Sequence, residues 1–159
     1  AKALTIYNEA WADNWGFVPM SRSQFRHMAT ELKPIIDPEI ALMAEHNGQP
    51  VAFSLSLPDY NILLRKVRGR LLPTGWIHLL FGRNRIDRVR TLLMGVRESF
   101  RNRGIDIALY HETFRRGLAR GYYSSEISWI LEDNKLMIRA LKRMGAEPYK
   151  TYRIYRKDL

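Results

Sequence analysis

The chain has 159 residues, of which 46% are hydrophobic and 26% charged, so it is long enough for one domain with a substantial core. It contains no cysteine, which excludes disulfide bonds and thiolate metal sites, and its four histidines show no metal-ligand spacing. The formal net charge of +10 favours polyanionic partners: nucleic acid, an acidic membrane surface or a phosphorylated small molecule. No apolar run approaches the roughly 20 residues that span a bilayer, and no secretory signal is visible, so we expect a cytoplasmic protein.

Two helices are predicted at the start of the chain. Apolar residues recur at helical spacing over residues 4–15, which predicts the first helix. Ser21 and Gln24 have the spacing of a capping box and predict a second helix that ends near Leu32. Because the chain opens directly on a helical pattern without Met, we expect an N-terminal region to precede it in a longer protein.

A β-hairpin gives the clearest strand signal. Two apolar runs flank Asn47 and Gly48, the residue pair that a type I′ turn prefers. Strands at about 39–46 and 50–57 are therefore predicted to pair antiparallel.

Residues 58–86 interrupt the pattern with basic residues among apolar ones. We interpret them as an insertion of two short helices with a break at Pro73 and Gly75. The insertion could be a basic amphipathic surface element, but we favour helices whose apolar side covers the core and whose arginines face water. Too many apolar side chains are present to leave exposed. We expect burial of Leu63, Leu64, Val67, Leu71, Trp76, Leu79, Leu80 and Phe81.

Strands and helices alternate in the second half of the chain. A strand followed by a helix and another strand should form parallel neighbours. The sequence thus predicts one α/β domain over residues 1–159, with a mixed, mostly antiparallel sheet and helices on both faces. The predicted elements are a strand at 88–96, a helix to about Arg120, a strand at 124–132, a helix at 134–145 and a strand at 149–157.

A basic turn precedes the first helix of this half. Arg97, Arg101 and Arg103 surround Gly104 just before the helix begins. A helix start offers unpaired backbone N–H groups and the positive end of the helix dipole. Glycine permits positive φ and close approach of a ligand. The turn therefore predicts an anion-binding site.

The segment MGVRESFRNRGIDIALY resembles motif A of the GNAT superfamily, the acyl-CoA-dependent N-acetyltransferases. In that motif a strand with an apolar last residue is followed by R/Q-x-x-G-x-G/A, which opens a helix. Val96, Arg101, Gly104 and Asp106 align with this pattern.

The resemblance covers nearly the whole chain. Asn134, before a helix that ends in Gly145, matches the family's motif B spacing. The element order also matches, except that the family's first strand is missing before Leu4. Segments such as SWILEDN and YKTYRIY are similar to those in long, poorly characterised bacterial GNAT-like proteins. We therefore expect the chain to be the C-terminal half of such a protein.

The resemblance implies a cofactor site for acetyl-CoA and no metal. The pyrophosphate of coenzyme A would lie at the basic turn, and the pantetheine arm would pair with exposed backbone groups where the strand splays from its neighbour. The residues implied for cofactor binding are Met94, Val96, Arg101, Asn102, Arg103, Gly104, Ile105, Asp106 and Asn134.

Three positions depart from the family's pattern. Asp106 replaces a small residue, so its carboxylate must point away from the pyrophosphate or pair with an arginine. Leu141 stands where many relatives carry the tyrosine thought to protonate the departing thiolate, and Ala146 replaces an aromatic residue. Tyr149 and Tyr152 are near in sequence, but the sequence does not place either hydroxyl in the cleft.

A carboxylate acting through water could remove the proton from the amine. Glu132 is our candidate, because it has the same parity as Ser128 and Ile130 along the predicted strand. Glu98 and Glu126 are rivals.

The implied function is transfer of an acetyl or other acyl group from coenzyme A to a small-molecule or peptide amine. The insertion would wall the acceptor side of the cleft. One alternative is a GNAT-like fold that binds acyl-CoA as a sensor or scaffold without turnover. A basic nucleic-acid-binding module is less favoured, because no DNA- or RNA-reading motif is present.

Overall fold

The computed structural model of the chain describes residues 2–68, 70, 72, 75–127 and 129–157, without the side chains of His78 and Leu80. Contacts divide the chain into two compact units, residues 1–128 and residues 129–159. The expectation of a single domain remains a prediction.

A four-stranded sheet forms the centre of the first unit, in the order β1-β2-β3-β4. β1 and β2 pair antiparallel, as do β2 and β3, whereas β3 and β4 are parallel. This confirms the predicted mixed, mostly antiparallel sheet. The strands are β1 (Ala41–His46), β2 (Gln49–Pro58), β3 (Arg88–Val96) and β4 (Ser124–Ile127).

The hairpin between β1 and β2 forms where the sequence predicts it. Asn47 and Gly48 have φ angles of 50° and 74°, so both central residues are left-handed, as a type I′ turn requires. β3 also has the predicted bounds.

Six helices lie in the described part of the chain. The second begins with the predicted capping box, in which Gln24 N donates to Ser21 Oγ over 3.3 Å and Ser21 N donates to Gln24 Oε1 over 2.8 Å. The helices are α1 (Lys2–Ala10), α2 (Arg22–Leu32), α3 (Asn61–Val67), α4 (Gly75–Phe81), α5 (Ile105–Ala119) and α6 (Lys135–Arg143).

The first helix is shorter than predicted, because the chain folds back after Ala10. The side-chain amide of Asn8 pairs with both backbone groups of Met20, each over 2.9 Å. This pairing forces the residues between them into successive turns. The prediction of a helix to Trp15 is therefore wrong at its C-terminal end.

Two strand predictions near the end of the chain also fail. β4 ends at Ile127, and soon afterwards Trp129 has a φ of 49°, which is incompatible with an extended strand. Residues 149–157 form no strand in the described structure, although their side chains alternate in polarity. Alternating polarity predicts which face of a sheet each residue would occupy, but a strand also needs a neighbouring strand to pair with.

Helices pack on both faces of the sheet, as predicted. A Cβ added to Gly95 would lie 3.1 Å from Ala10 Cβ and 3.4 Å from Ile6 Cγ2, so α1 covers that face. Met94 packs instead with Leu109 of α5. Because successive residues of a strand point to opposite faces, α1 and α5 lie on opposite sides of the sheet.

The insertion forms two short helices, α3 and α4, but does not bury all its apolar residues. Leu63 and Val67 are buried, as predicted. Leu64, Trp76 and Phe81 are instead 50%, 45% and 73% exposed. A short helix has only one face toward the domain, so apolar residues next to that face are directed outward.

Parts of that prediction fall on residues outside the described structure. These are Leu71, Pro73 at the expected break, and the side chain of Leu80. Leu79 is half-buried.

A buried carboxylate fastens the segment before β1 to the end of α5. Asp37 is only 1% exposed and accepts hydrogen bonds from Glu39 N, Arg120 Nε and the Tyr122 hydroxyl, over 3.2, 3.3 and 3.0 Å. Burial, together with the hydrogen bond to Asp37, raises the pKa of Tyr122 to about 12. The Tyr122 hydroxyl therefore remains a donor to Asp37 at neutral pH.

We expect Asp37→Ala to lower the free energy of unfolding by about 2 kcal/mol, because it leaves the partly buried Tyr122 hydroxyl without its acceptor. Denaturant unfolding of the two proteins measures the difference. Glu39→Ala is the matched control, because this exposed side chain makes only a 3.9 Å ion pair with Arg116 and should cost less than about 1 kcal/mol. Equal losses in the two variants would contradict the anchoring role of Asp37.

Candidate functional site

The turn between β3 and α5 contains two left-handed residues. A 3-10 turn at Glu98–Phe100, which the sequence did not indicate, is followed by Asn102 with a φ of 59° and Gly104 with a φ of 74°. Left-handed residues in such a turn direct backbone N–H groups toward a common concave point. This geometry is suited to an anion.

The start of α5 has no side-chain cap. Gly104 is the N-cap residue, and the first helical bond runs from Ala108 N to Gly104 O over 2.9 Å. The N–H groups of Ile105, Asp106 and Ile107 therefore have no partner within the helix. A Cβ placed on Gly104 would meet nothing within 4 Å, so the space beside the turn is open.

The arginines of the turn are held by protein contacts. Arg97 Nε lies 3.0 Å from Glu9 Oε2, and Arg101 donates to the carbonyl of Ala10 over 3.2 Å. The Arg103 guanidinium lies over the Phe100 ring, 5.0 Å from its centre. Any anion at the turn is thus approached mainly by backbone N–H groups, with exposed arginines at its margin.

The Asp106 carboxylate influences Tyr110, which lies one turn later in α5. Burial raises the pKa of Tyr110, and the Asp106 carboxylate one turn earlier raises it further. The expectation that the Asp106 carboxylate points away from the pyrophosphate or pairs with an arginine remains a prediction. The buried Tyr110 hydroxyl has no hydrogen-bond partner among the described residues.

The edge of β3 next to the turn is open on the side of β4. The parallel pairing ends at Thr91 and Ile127, so no described strand pairs with β3 beyond that point. Arg97 N donates to Val51 O in β2 over 2.9 Å, so Gly95 and Leu93, which lie before the register shift opposite Leu55, form the hydrogen-bonded pairs with β2 at this end of β3. The backbone groups of Met94 and Val96 therefore face the open edge.

One of these groups already has a partner. The indole nitrogen of Trp11 donates to the Met94 carbonyl over 3.1 Å. Trp11 lies in residues 4–15, for which the sequence predicts only a helix, and nothing local relates residues 83 positions apart, so this contact was not predicted. The indole borders the edge where the pantetheine arm is predicted to lie.

The remaining predicted residues lie in the second unit. Asn134 caps α6, because its Oδ1 accepts from Met137 N over 3.2 Å. Glu132 lies 3.7 Å from Arg153, and its side chain is 84% exposed. Leu141 is buried in α6. The structure therefore shows the capping role of Asn134, and its cofactor contact remains a prediction.

The two rival carboxylates are both in the first unit. Glu126 forms a 3.2 Å ion pair with Arg90, and its side chain is only 14% exposed. Glu98 lies in the 3-10 turn, where its N–H donates to Glu9 Oε1 over 3.1 Å. Because β4 ends at Ile127, strand parity no longer argues for the orientation of Glu132.

Two curated proteins are similar to this chain over 161 aligned residues, which include 97% of the chain. One is named "Bacterial ceramide synthase", from Caulobacter vibrioides, at 36% identity, and the other is "Protein YghO", from Escherichia coli K12, at 41% identity. The chain spans about two fifths of the length of these relatives, 42% and 41% respectively. No protein-family model matches the chain.

Solved structures show the fold. The aminoglycoside N-acetyltransferase AAC(6')-Iy in complex with CoA aligns with 99% of the chain and 88% of its own, at 16% identity and a TM-score of 0.63. A GCN5-related N-acetyltransferase from Sphaerobacter thermophilus aligns with 91% of the chain and 36% of its own, at 22% identity and a TM-score of 0.62.

None of the helices in the described ranges combines the length and apolarity needed to cross a bilayer.

We expect Gly104→Val to weaken coenzyme A binding at least about tenfold, because a β-branched residue resists positive φ and would fill the open space beside the turn. Titration calorimetry measures the affinity. Gly121→Val is the matched control, because Gly121 follows the other end of α5, has a φ of 85° and also has nothing within 4 Å of its Cβ position. Similar affinities for the two folded variants would contradict the assignment of the turn.

Proposed function

We propose that this chain, which has the fold of the GNAT N-acetyltransferases, transfers an acyl group from coenzyme A to a primary amine. The observation that carries the proposal is the uncapped start of α5, preceded by two left-handed residues and adjacent to the open edge of β3. A phosphate group and an extended amide chain are the two parts of coenzyme A that such neighbours would bind.

In this proposal the pyrophosphate lies against the backbone N–H groups of residues 102–106, and Arg101 and Arg103 supply positive charge at the margin. The pantetheine arm extends along the β3 edge at Met94 and Val96. The family resemblance also assigns Asn134 a contact with the pantetheine arm. The family resemblance supports these roles.

The reaction needs no covalent enzyme intermediate. The amine nitrogen attacks the thioester carbonyl carbon, a C–N bond forms, and the C–S bond breaks. Coenzyme A leaves as a thiolate that takes up a proton, and the amine loses one. Positioning of the two reactants supplies much of the rate acceleration in such a transfer.

We propose Glu132 as the general base, acting through water. Its carboxylate is largely exposed, and its 3.7 Å separation from Arg153 is long for a hydrogen bond. Glu126 is a poorer candidate, because its carboxylate is held in an ion pair with Arg90 and its side chain is only 14% exposed.

The curated relatives bear on the acceptor. A ceramide is the amide of a fatty acid and a long-chain amino alcohol, so a ceramide synthase forms the same type of bond as a GNAT enzyme. At 36% identity, the relative with that name supports a long-chain amino alcohol as acceptor and a fatty acyl-CoA as donor. The chain covers only two fifths of that protein, so both substrates are part of the proposal.

A second candidate is acyl-CoA binding without turnover. Leu141 is buried in α6, where many GNAT enzymes carry a tyrosine, and a leucine cannot protonate the thiolate. Solvent protonation of the thiolate keeps transfer feasible, since a thiol is acidic enough to leave without a dedicated acid.

Turnover distinguishes these candidates. We expect the chain, given palmitoyl-CoA and sphinganine, to release one free thiol per amide formed, measured by a thiol reagent and by mass spectrometry. N,N-dimethylsphinganine is the matched acceptor control, because it cannot form a neutral amide. Tight coenzyme A binding with no amide from sphinganine or from a panel of simpler amines would favour the binding-only candidate.

We expect Glu132→Gln to lower kcat about a hundredfold with little change in the KM for acyl-CoA, because proton removal is slowed while cofactor binding is kept. Glu147→Gln is the matched control, since Glu147 is also exposed in the second unit. Unchanged kcat in Glu132→Gln would show that its carboxylate serves only its ion pair with Arg153.

A further inference from the structure

Residues 60–86 of the insertion carry more than half of the net positive charge of the chain. Between Asp59 and Asp87 there is no acidic residue, whereas six of the 26 Lys and Arg residues lie there. This segment alone therefore contributes six of the net ten positive charges. The basic residues are Arg65, Lys66, Arg68, Arg70, Arg83 and Arg85.

The insertion also exposes large apolar side chains. Leu64 on α3 is 50% exposed, and on α4 Trp76, Ile77 and Phe81 are 45%, 40% and 73% exposed. Ile77 and Phe81 are four residues apart, so they lie on one face of α4. These four side chains, together with Arg65, Lys66 and Arg68, are called the basic apolar patch below.

Contacts with the rest of the first unit hold the two helices that carry the basic apolar patch. A Cβ on Gly75 would overlap the Arg70 carbonyl oxygen and lie 2.9 Å from Val67 Cγ1, so α4 begins in close contact with α3. Arg83, just after α4, donates to the carbonyls of Pro34 and Ile36 over 3.2 and 3.1 Å. Both helices are thereby held with the patch outward.

We propose that the basic apolar patch docks on the surface of an anionic lipid bilayer. Tryptophan, phenylalanine and leucine side chains flanked by lysine and arginine are the composition of segments that lie in the interfacial plane of a membrane. The apolar side chains enter the boundary between headgroups and acyl chains, and the basic ones contact anionic headgroups, each contributing through its charge.

The aliphatic side chains favour a bilayer over nucleic acid. Arginine and lysine would bind either polyanion, and an aromatic ring could stack on a base. Leu64 and Ile77 gain nothing from phosphate contacts, but they lose water-exposed apolar area when they enter a lipid interface. A bilayer therefore accounts for both the basic and the apolar side chains of the patch.

This inference does not depend on acyl transfer, and its test uses no substrate. We expect the chain to float with vesicles that contain one quarter phosphatidylglycerol in phosphatidylcholine, and to float poorly with pure phosphatidylcholine. Arg65→Gln with Lys66→Gln should weaken binding about thirtyfold, from two headgroup charges lost. Ile77→Ser with Phe81→Ser should weaken it at least about tenfold.

The matched control is Arg22→Gln with Arg26→Gln, which removes two exposed charges from α2 and should leave vesicle binding within about twofold. Circular dichroism confirms that each variant is folded. Equal flotation of all variants, or equal binding to neutral vesicles, would overturn the proposal. So would binding of a 30-base-pair DNA duplex that the insertion variants lose, if vesicles fail to float the wild-type chain.

Discussion

The chain must reverse direction between Val96 at the end of β3 and Ile105 at the start of α5, and this reversal creates the candidate site. The strand is held to β2 by the bond from Arg97 N to Val51 O, while α5 packs on the sheet through Leu109. Residues 97–104 must connect these two fixed elements, and two of them adopt positive φ to do so. Relative to glycine, a serine or aspartate that caps a helix adds only about a few tenths of a kcal/mol, and its side chain would occupy the amides that an anion needs. The uncapped start thus exchanges some stability for an open anion position.

The local parts of this arrangement could be predicted from the sequence. Periodicity and turn residues place β3, the β1–β2 hairpin and the capping box of α2, because each depends on residues within a few positions of one another. The left-handed Gly104 follows from the same reasoning, since only glycine adopts that conformation without strain. What the sequence does not reveal is the contact of Trp11 with the Met94 carbonyl, which depends on the path of the whole chain. That contact and the pairing of Asn8 with Met20 both involve residues close to the end of α1 at Ala10, so the overestimated helix and the missed edge contact lie in the same part of the chain.

The wrong predictions for the last third of the chain have a different origin. An extended strand needs both a suitable side-chain pattern and a partner, and only the pattern is visible in a sequence. Trp129 lies two residues beyond the end of β4 and has a positive φ, a conformation that tryptophan rarely adopts. The helix that follows was predicted well because Asn134 and Gly145 mark both its ends with local signals.

The error about the insertion shows what composition can and cannot decide. Its apolar residues were expected inside because a soluble surface rarely carries so many, and this holds for Leu63 and Val67. The same premise, applied to the side chains that remain exposed, argues for a partner instead of a core.

The positive charge of the insertion also argues for a partner. At the turn, the arginines are held by Glu9, the Ala10 carbonyl and the Phe100 ring, so the anion binding proposed there would depend mainly on backbone N–H groups. In the insertion no carboxylate follows Asp59 until Asp87. The net charge of the chain is therefore concentrated on the insertion, and it bears more on the proposed bilayer surface than on the proposed ligand of the turn.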